Sequence, residues 1–156
     1  MKFDKYPILF FLLITTTYSY GTNFKKVKNE KEKNPIDYVD AFIGTGGVSN
    51  NNPHAVYPFG MVQLGPNTGE TLPGGYNYSD KTIIGFVHTQ ISGAGCGDYS
   101  DLIFMPTTGK LQLEPGSPDD PASGYRSAFS HKDEISKPGY YSVKLLDHDI
   151  KVELTV

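Results

Sequence analysis

The stretch Gly139-Tyr-Tyr-Ser-Val-Lys-Leu-Leu146, then Asp147-His-Asp149, then Ile150-Lys-Val-Glu-Leu-Thr-Val156, decides the fold. In its last part Ile150, Val152, Leu154 and Val156 alternate with Lys151, Glu153 and Thr155. A period of two sends successive side chains to opposite faces, so this is a strand with one face buried and one in water. The first part is rich in Tyr, Val and Leu, which suit a pleated surface, and Asp147-His148-Asp149 supplies a polar turn. The spacing predicts an antiparallel hairpin over residues 139–146 and 150–156.

Working outward, the same signals recur. Residues 110–114 (Lys-Leu-Gln-Leu-Glu) alternate cleanly. Residues 56–64 read as strand-like, with Pro58 suited to an edge or a first position. Residues 83–89 and 102–105 read as two more strands, and a Pro/Asp/Gly/Ser-rich loop fills 115–124. Ser130 is placed to cap one short turn before residue 135. There is no internal repeat and no long amphipathic helix. Eleven Tyr, nine Phe, 17 Gly and 11 Pro favour strands and turns over helices. The fold class expected is all-β, an antiparallel β-sandwich. Because the last strand stops in mid-pattern at Val156 and would leave a raw sheet edge, the chain is read as the front portion of something longer, its sandwich truncated.

The 156 residues are 38% hydrophobic and 20% charged, ordinary for a globular domain. The net charge of −3 hides an asymmetry. Residues 1–35 hold seven Lys against three acids, and the remainder seven bases against fourteen acids. An acidic body without basic clusters argues against nucleic acid as a partner. Lys2 and Lys5, the nine apolar residues 6–14 and the small residues that follow read as an export signal over 1–21. Nine residues fall short of the roughly 20 needed to cross a bilayer, so no stable membrane span is expected. Residues 22–35, rich in Lys, Glu and Asn, read as a flexible tether, and 36–156 as the domain. The location expected is secreted or periplasmic. Export permits disulfides, but Cys96 has no second cysteine in the chain.

Between the strands expected at 83–89 and 102–105 lies a long polar loop. The first run leads into His88, and the loop holds Ser92, Gly93, Gly95, Cys96, Gly97, Asp98, Tyr99 and Asp101. A hairpin connection needs only two to five residues, so this one reads as a binding loop. Its glycines, with those of 44–47 and 74–75, fit no nucleotide motif: the Gly-Lys-Ser/Thr ending is absent, and Asp98 stands where a dinucleotide fingerprint needs Gly. Gln90 rules out a nucleophile elbow at Ser92. His88, Cys96, Asp98 and Asp101 are chemically able to bind metal, yet their spacing matches no zinc or calcium pattern. They read instead as groups that hydrogen-bond the loop to itself or to a polar ligand. A polyol suits the inventory better. Hydroxyls donate and accept, carboxylates and main-chain N–H groups orient them, and Tyr76, Tyr78 and Tyr99 offer apolar faces.

Several ordered blocks carry a resemblance. They are Asp40-Ala-Phe-Ile-Gly-Thr-Gly-Gly47, Pro58-Phe-Gly-Met-Val-Gln-Leu64, Gly75-Tyr-Asn-Tyr-Ser-Asp80 and Ile84-Gly-Phe-Val-His-Thr-Gln-Ile-Ser-Gly93. Gly95-Cys-Gly-Asp98, Met105-Pro106, Phe129-Ser-His131 and Pro138-Gly-Tyr-Tyr-Ser-Val143 follow. Over residues 36–156 the chain resembles the N-terminal β-sandwich domain of glycoside hydrolase family 92 α-mannosidases. The resemblance implies an exported, calcium-dependent exo-α-mannosidase acting on α-mannoside glycans with inversion. It also implies a larger helical domain of the same polypeptide as the sandwich's packing partner. Inversion uses two carboxyls about 6.5–9.5 Å apart, one protonating the leaving oxygen and one activating water. The resemblance places both, and the calcium, in the helical domain, so no catalytic role falls on this chain. Its substrate-facing candidates are Gly46, Gly47, Tyr76, His88, Ser92, Gly93, Cys96 and Asp98. With no Trp in the chain, an aromatic platform must be Tyr or Phe. A stand-alone carbohydrate-binding module is the rival reading, and a metal- or thiol-based hydrolase around His88 and Cys96 a third.

Overall fold

A computed structural model describes residues 33–69, 74–93, 100 and 102–156. Every regular element among them is a strand or a single 3-10 turn. The strands are β1 (Gly65–Asn67), β2 (Thr82–Ile83), β3 (Gly85–Val87), β4 (Ile103–Phe104), β5 (Ser127–Ala128), β6 (Ile135–Lys137), β7 (Tyr140–Leu145) and β8 (Ile150–Thr155). They form three antiparallel sheets, ordered β1-β3-β4, β2-β5 and β6-β7-β8. The all-β antiparallel class expected from the alternation is the class observed.

The hairpin read first is the longest ladder. Tyr140 pairs with Thr155 and Leu145 with Ile150, all six residues of β7 facing all six of β8. Along β8 the half-buried residues Ile150, Val152 and Leu154 alternate with exposed Lys151, Glu153 and Thr155. Asp149 closes the turn at φ 52°, a conformation Asp tolerates better than most side chains. β6 joins β7 through Pro138-Gly139, and Gly139 at φ 75° gives the proline-then-glycine order of a type II turn. Ser130 does cap a short turn, its Oγ accepting from the Lys132 N–H at 3.3 Å over His131–Asp133.

The core lies where the sheets face one another. Ile83 of β2, Phe86 of β3 and Tyr141, Val143 and Leu145 of β7 meet Ala55, Tyr76 and Phe129, with Ile150, Val152 and Leu154 packed against them. Phe86 and Tyr141 cross at 52° with ring centres 6.5 Å apart.

Three expectations change in detail. Residues 56–64 do not run as a strand. Only Ala55 and Leu64 bridge, and the ladder proper starts one residue later, at Gly65. Tyr57, Phe59, Met61 and Val62 bulge into solvent between them, an apolar run without a face to bury. Residues 110–114 alternate but are exposed and unpaired into any sheet, with Leu111 74% and Leu113 81% accessible. Period two makes a strand only where a neighbour supplies hydrogen bonds and cover. The run 83–89 divides at Ile84: β2 pairs with β5, whereas β3 sits between β1 and β4.

Candidate functional site

Four segments distant in sequence are tied into one polar surface. The first is the 44–47 loop, anchored where Thr45 Oγ1 donates to Phe42 O at 2.8 Å. Asn51 N–H then closes the loop on Gly44 O at 3.2 Å. The second is the asparagine run 50–52. The third, 74–78, docks on the first: Tyr78 N–H donates to Thr45 O at 2.8 Å, and Asn77 Nδ2 to Gly47 O at 2.9 Å. The fourth, 90–93, docks on the second and third. Gly93 N–H donates to Asn50 O at 2.7 Å, Asn52 N–H to Ser92 Oγ at 3.1 Å, and Gln90 Nε2 to Gly74 O at 2.6 Å. Gly75 is required here twice over: its φ is +82°, and a Cβ on it would collide with the Gln90 amide.

The surface carries unspent polar capacity. Asn50 Oδ1, both side-chain polar atoms of Asn52, and Gln90 Oε1 are buried yet make no hydrogen bond among the described residues. A buried polar atom without a partner costs about 1–3 kcal/mol, so such a cluster calls for partners beyond the described residues, and water or ligand hydroxyls have the chemistry to supply them. Amide oxygens and amide N–H groups accept from and donate to hydroxyls, and Ser92 adds a group that does both. The arrangement is suited to orienting a neutral polyol. The described residues of these four segments offer no carboxyl to move a proton.

Of the candidates read from the sequence, Gly46, Gly47, Ser92 and Gly93 come together on this surface, and all four are exposed. His88 does not join them. It lines a separate apolar concavity of about 430 Å³ with Tyr57, Pro58, Phe59, Met61 and Val156, its ring edge-on to Phe104 at 4.9 Å. Tyr76 is corrected to a core residue. It is 0% exposed, and its hydroxyl donates between the two oxygens of Glu134 at 3.1 Å each. Burial, reinforced by the Glu134 charge, holds that phenol well above its ordinary range, so it stays a neutral donor facing inward. Cys96 and Asp98, with Tyr99 and Asp101, lie outside the described residues.

Reading the sequence missed Asn50, Asn52 and Gln90. The signal was present in three consecutive asparagines between a glycine turn and Pro53. It missed also what lies under Tyr78. The His131 ring stacks on Tyr78 at 3.9 Å and 8°. Its Nδ1 is 2.6 Å from Glu134 Oε2 and its Nε2 2.7 Å from Tyr78 O. Glu134 also accepts from Tyr141 at 2.7 Å, a phenol pushed well up by burial and by that same carboxylate.

Comparison with known proteins places this geometry in context. Residues 38–156 match the model of the glycosyl hydrolase family 92 N-terminal domain. A solved family GH92 α-mannosidase of Bacteroides thetaiotaomicron is 44% identical, with a TM-score of 0.74 over 78% of this chain and 17% of that one. An inverting mannosidase of the same family from that bacterium is 27% identical, with a TM-score of 0.57 over 80% of this chain and 17% of that one. A secreted glycosidase of Arthroderma benhamiae, itself uncharacterised, is 27% identical over 87% of this chain and 18% of its own length. The chain thus spans under a fifth of each of these relatives.

Proposed function

The chain belongs to glycosyl hydrolase family 92, whose N-terminal domain it carries over residues 38–156, and from that premise we propose that it serves a secreted, calcium-dependent, inverting exo-α-mannosidase. In this reading residues 1–21 are a cleaved export signal and 22–35 a tether. The polar surface formed by 44–47, 50–52, 74–78 and 90–93 is one wall of the mannoside pocket, and the loop continuing through Cys96 and Asp98 belongs to the same wall. The observation that carries the reading is the 44% identity to a solved α-mannosidase across most of this chain.

Chemistry then comes from elsewhere in the longer polypeptide. Hydrolysis with inversion needs one carboxyl to protonate the departing glycosidic oxygen while a second takes a proton from the attacking water. Among the described residues no three His, Cys, Asp or Glu side chains gather to seat a metal. They do not fit calcium, which in this reading is held by the helical domain, as are both catalytic carboxyls. What this chain supplies is orientation: amide and hydroxyl groups that fix the sugar's hydroxyls while the bond breaks.

The test is mannose release from α-mannosides. The 156-residue chain is expected to release none, with calcium or with a chelator. A polypeptide extended to the length of the relatives is expected to release mannose and to lose that activity on chelation. Calcium-dependent release by the chain alone would overturn the division of labour, and an inactive extended polypeptide that still binds mannosides would favour a binding module.

A further inference from the structure

Beside the polar surface, Asp40, Phe42, Ile43, Thr45, Gly46 and Tyr78 line an open concavity of about 410 Å³, within the roughly 300–1,000 Å³ of small-ligand clefts. We infer that this concavity is a saccharide-stacking subsite in which Tyr78 is the platform, held in place by His131 and Glu134. The inference rests on the mannoside reading above and adds to it a residue, a subsite and a positioning pair.

Tyr76 and Tyr78 are near neighbours with opposite fates. Tyr76 is sealed in the core, while Tyr78 keeps 45% of its surface accessible. Its ring lies parallel to the His131 imidazole, which covers one face and leaves the rest to the concavity, and the Phe42 ring stands against it at 74° with centres 6.0 Å apart. A pyranose ring has an apolar face of C–H groups and a rim of hydroxyls. An aromatic face beside a hydrogen-bond acceptor is its complement. Asp40 supplies that acceptor. One of its oxygens takes the Phe42 N–H at 2.9 Å, and its carboxylate has capacity left for a hydroxyl.

What marks the platform as built is its support. His131 is gripped on three sides: by Glu134 at Nδ1, by the Tyr78 carbonyl at Nε2, and by the Phe129 ring edge-on at 5.1 Å. Both ring nitrogens face acceptors, so its plane has no second orientation of equal quality. Glu134 is in turn fixed by the Tyr76 and Tyr141 hydroxyls. The chain of contacts runs from the core to the underside of the exposed ring. A side chain already held in its bound orientation avoids the ordering cost that weakens binding to mobile residues.

The probe is methyl α-D-mannopyranoside, titrated into the chain and followed by saturation-transfer NMR, with β7–β8 amide signals reporting that each variant is folded. Tyr78→Phe, which keeps the ring, is expected to bind as the unsubstituted chain does. Tyr78→Ala is expected to weaken binding about tenfold. His131→Ala is expected to weaken it by a smaller factor, about threefold, and to abolish the ring-current shift between rings 78 and 131 that a merely structural histidine would not couple to affinity. If the sugar binds and Tyr78→Ala binds equally well while Ser92→Ala does not, the mannoside reading stands and the Tyr78 subsite is overturned. If the unsubstituted chain gives no transfer at all, the Tyr78 subsite is overturned, while the mannoside reading is still judged by mannose release from the extended polypeptide.

Discussion

His54 lies buried with its ring across Gly65, where any Cβ would fall inside the imidazole. Burial draws its pKa down from 6.5 to about 4, against smaller opposing effects of the Pro66 backbone and the Gln63 side chain. The sign follows from which state takes the proton first. Above pH 6.5 the ring is neutral folded and unfolded, and it contributes nothing to pH dependence. As pH falls from 6.5 toward 4 the unfolded chain is protonated and the folded one is not. Stability therefore drops by up to about 3 kcal/mol across that window and no further below it. Urea unfolding at pH 7.5 and pH 4.5 should show a smaller loss for His54→Asn than for the unsubstituted chain. Equal losses would assign the acid sensitivity to the carboxylates alone. Nothing in the sequence announces this residue, because Asn-Pro-His-Ala reads as a loop and its burial is created by β1 passing beneath it.

At the scale of elements, β7 buries its apolar side chains on one face, Tyr141, Val143 and Leu145, while the other face holds buried Ser142 and exposed Lys144. Val143 is fully buried opposite Val152, and Lys144, one residue on, points to solvent and pairs with Asp149 at 2.6 Å. Val143→Ala removes two methyl groups from a packed layer and should lower stability by about 2 kcal/mol. Lys144→Ala should leave the denaturation midpoint where it is, since an exposed ion pair contributes little. A midpoint that moved more for Lys144 than for Val143 would reverse the assignment of faces. This hairpin was readable from sequence because alternation and turn are both local. The segments 56–64 and 110–114 were not. Their composition is strand-like, but whether a neighbour lies alongside is decided by residues far away, and among the described residues none covers Leu111 and Leu113.

For the whole molecule, the described surface is uneven. Phe59 and Met61 are 86% and 84% accessible and flank the apolar concavity that contains His88. Contiguous exposed apolar surface of this kind marks a contact face. Phe59→Ser combined with Met61→Ser should leave the melting temperature unchanged and reduce binding of a hydrophobic dye. A fall in melting temperature instead would show that these side chains support the fold. The candidate site was half visible from the sequence. Its glycine turns stood out as motifs, whereas the amides at 50, 52 and 90 and the Tyr78–His131 stack depend on contacts between segments tens of residues apart. Glu134 shows what such distance entails. Its carboxylate, buried to 7% exposure, is matched by donors from residue 76, from residue 141 and from His131 in its own turn. The hairpin at the end of the chain can form early, yet it cannot close over this acid at low cost until the segment around Tyr76 arrives from 58 residues upstream. A partly assembled sandwich is thereby penalised relative to both the open chain and the finished one. The buried acid acts as a checkpoint, coupling completion of the core to the setting of the 74–78 segment.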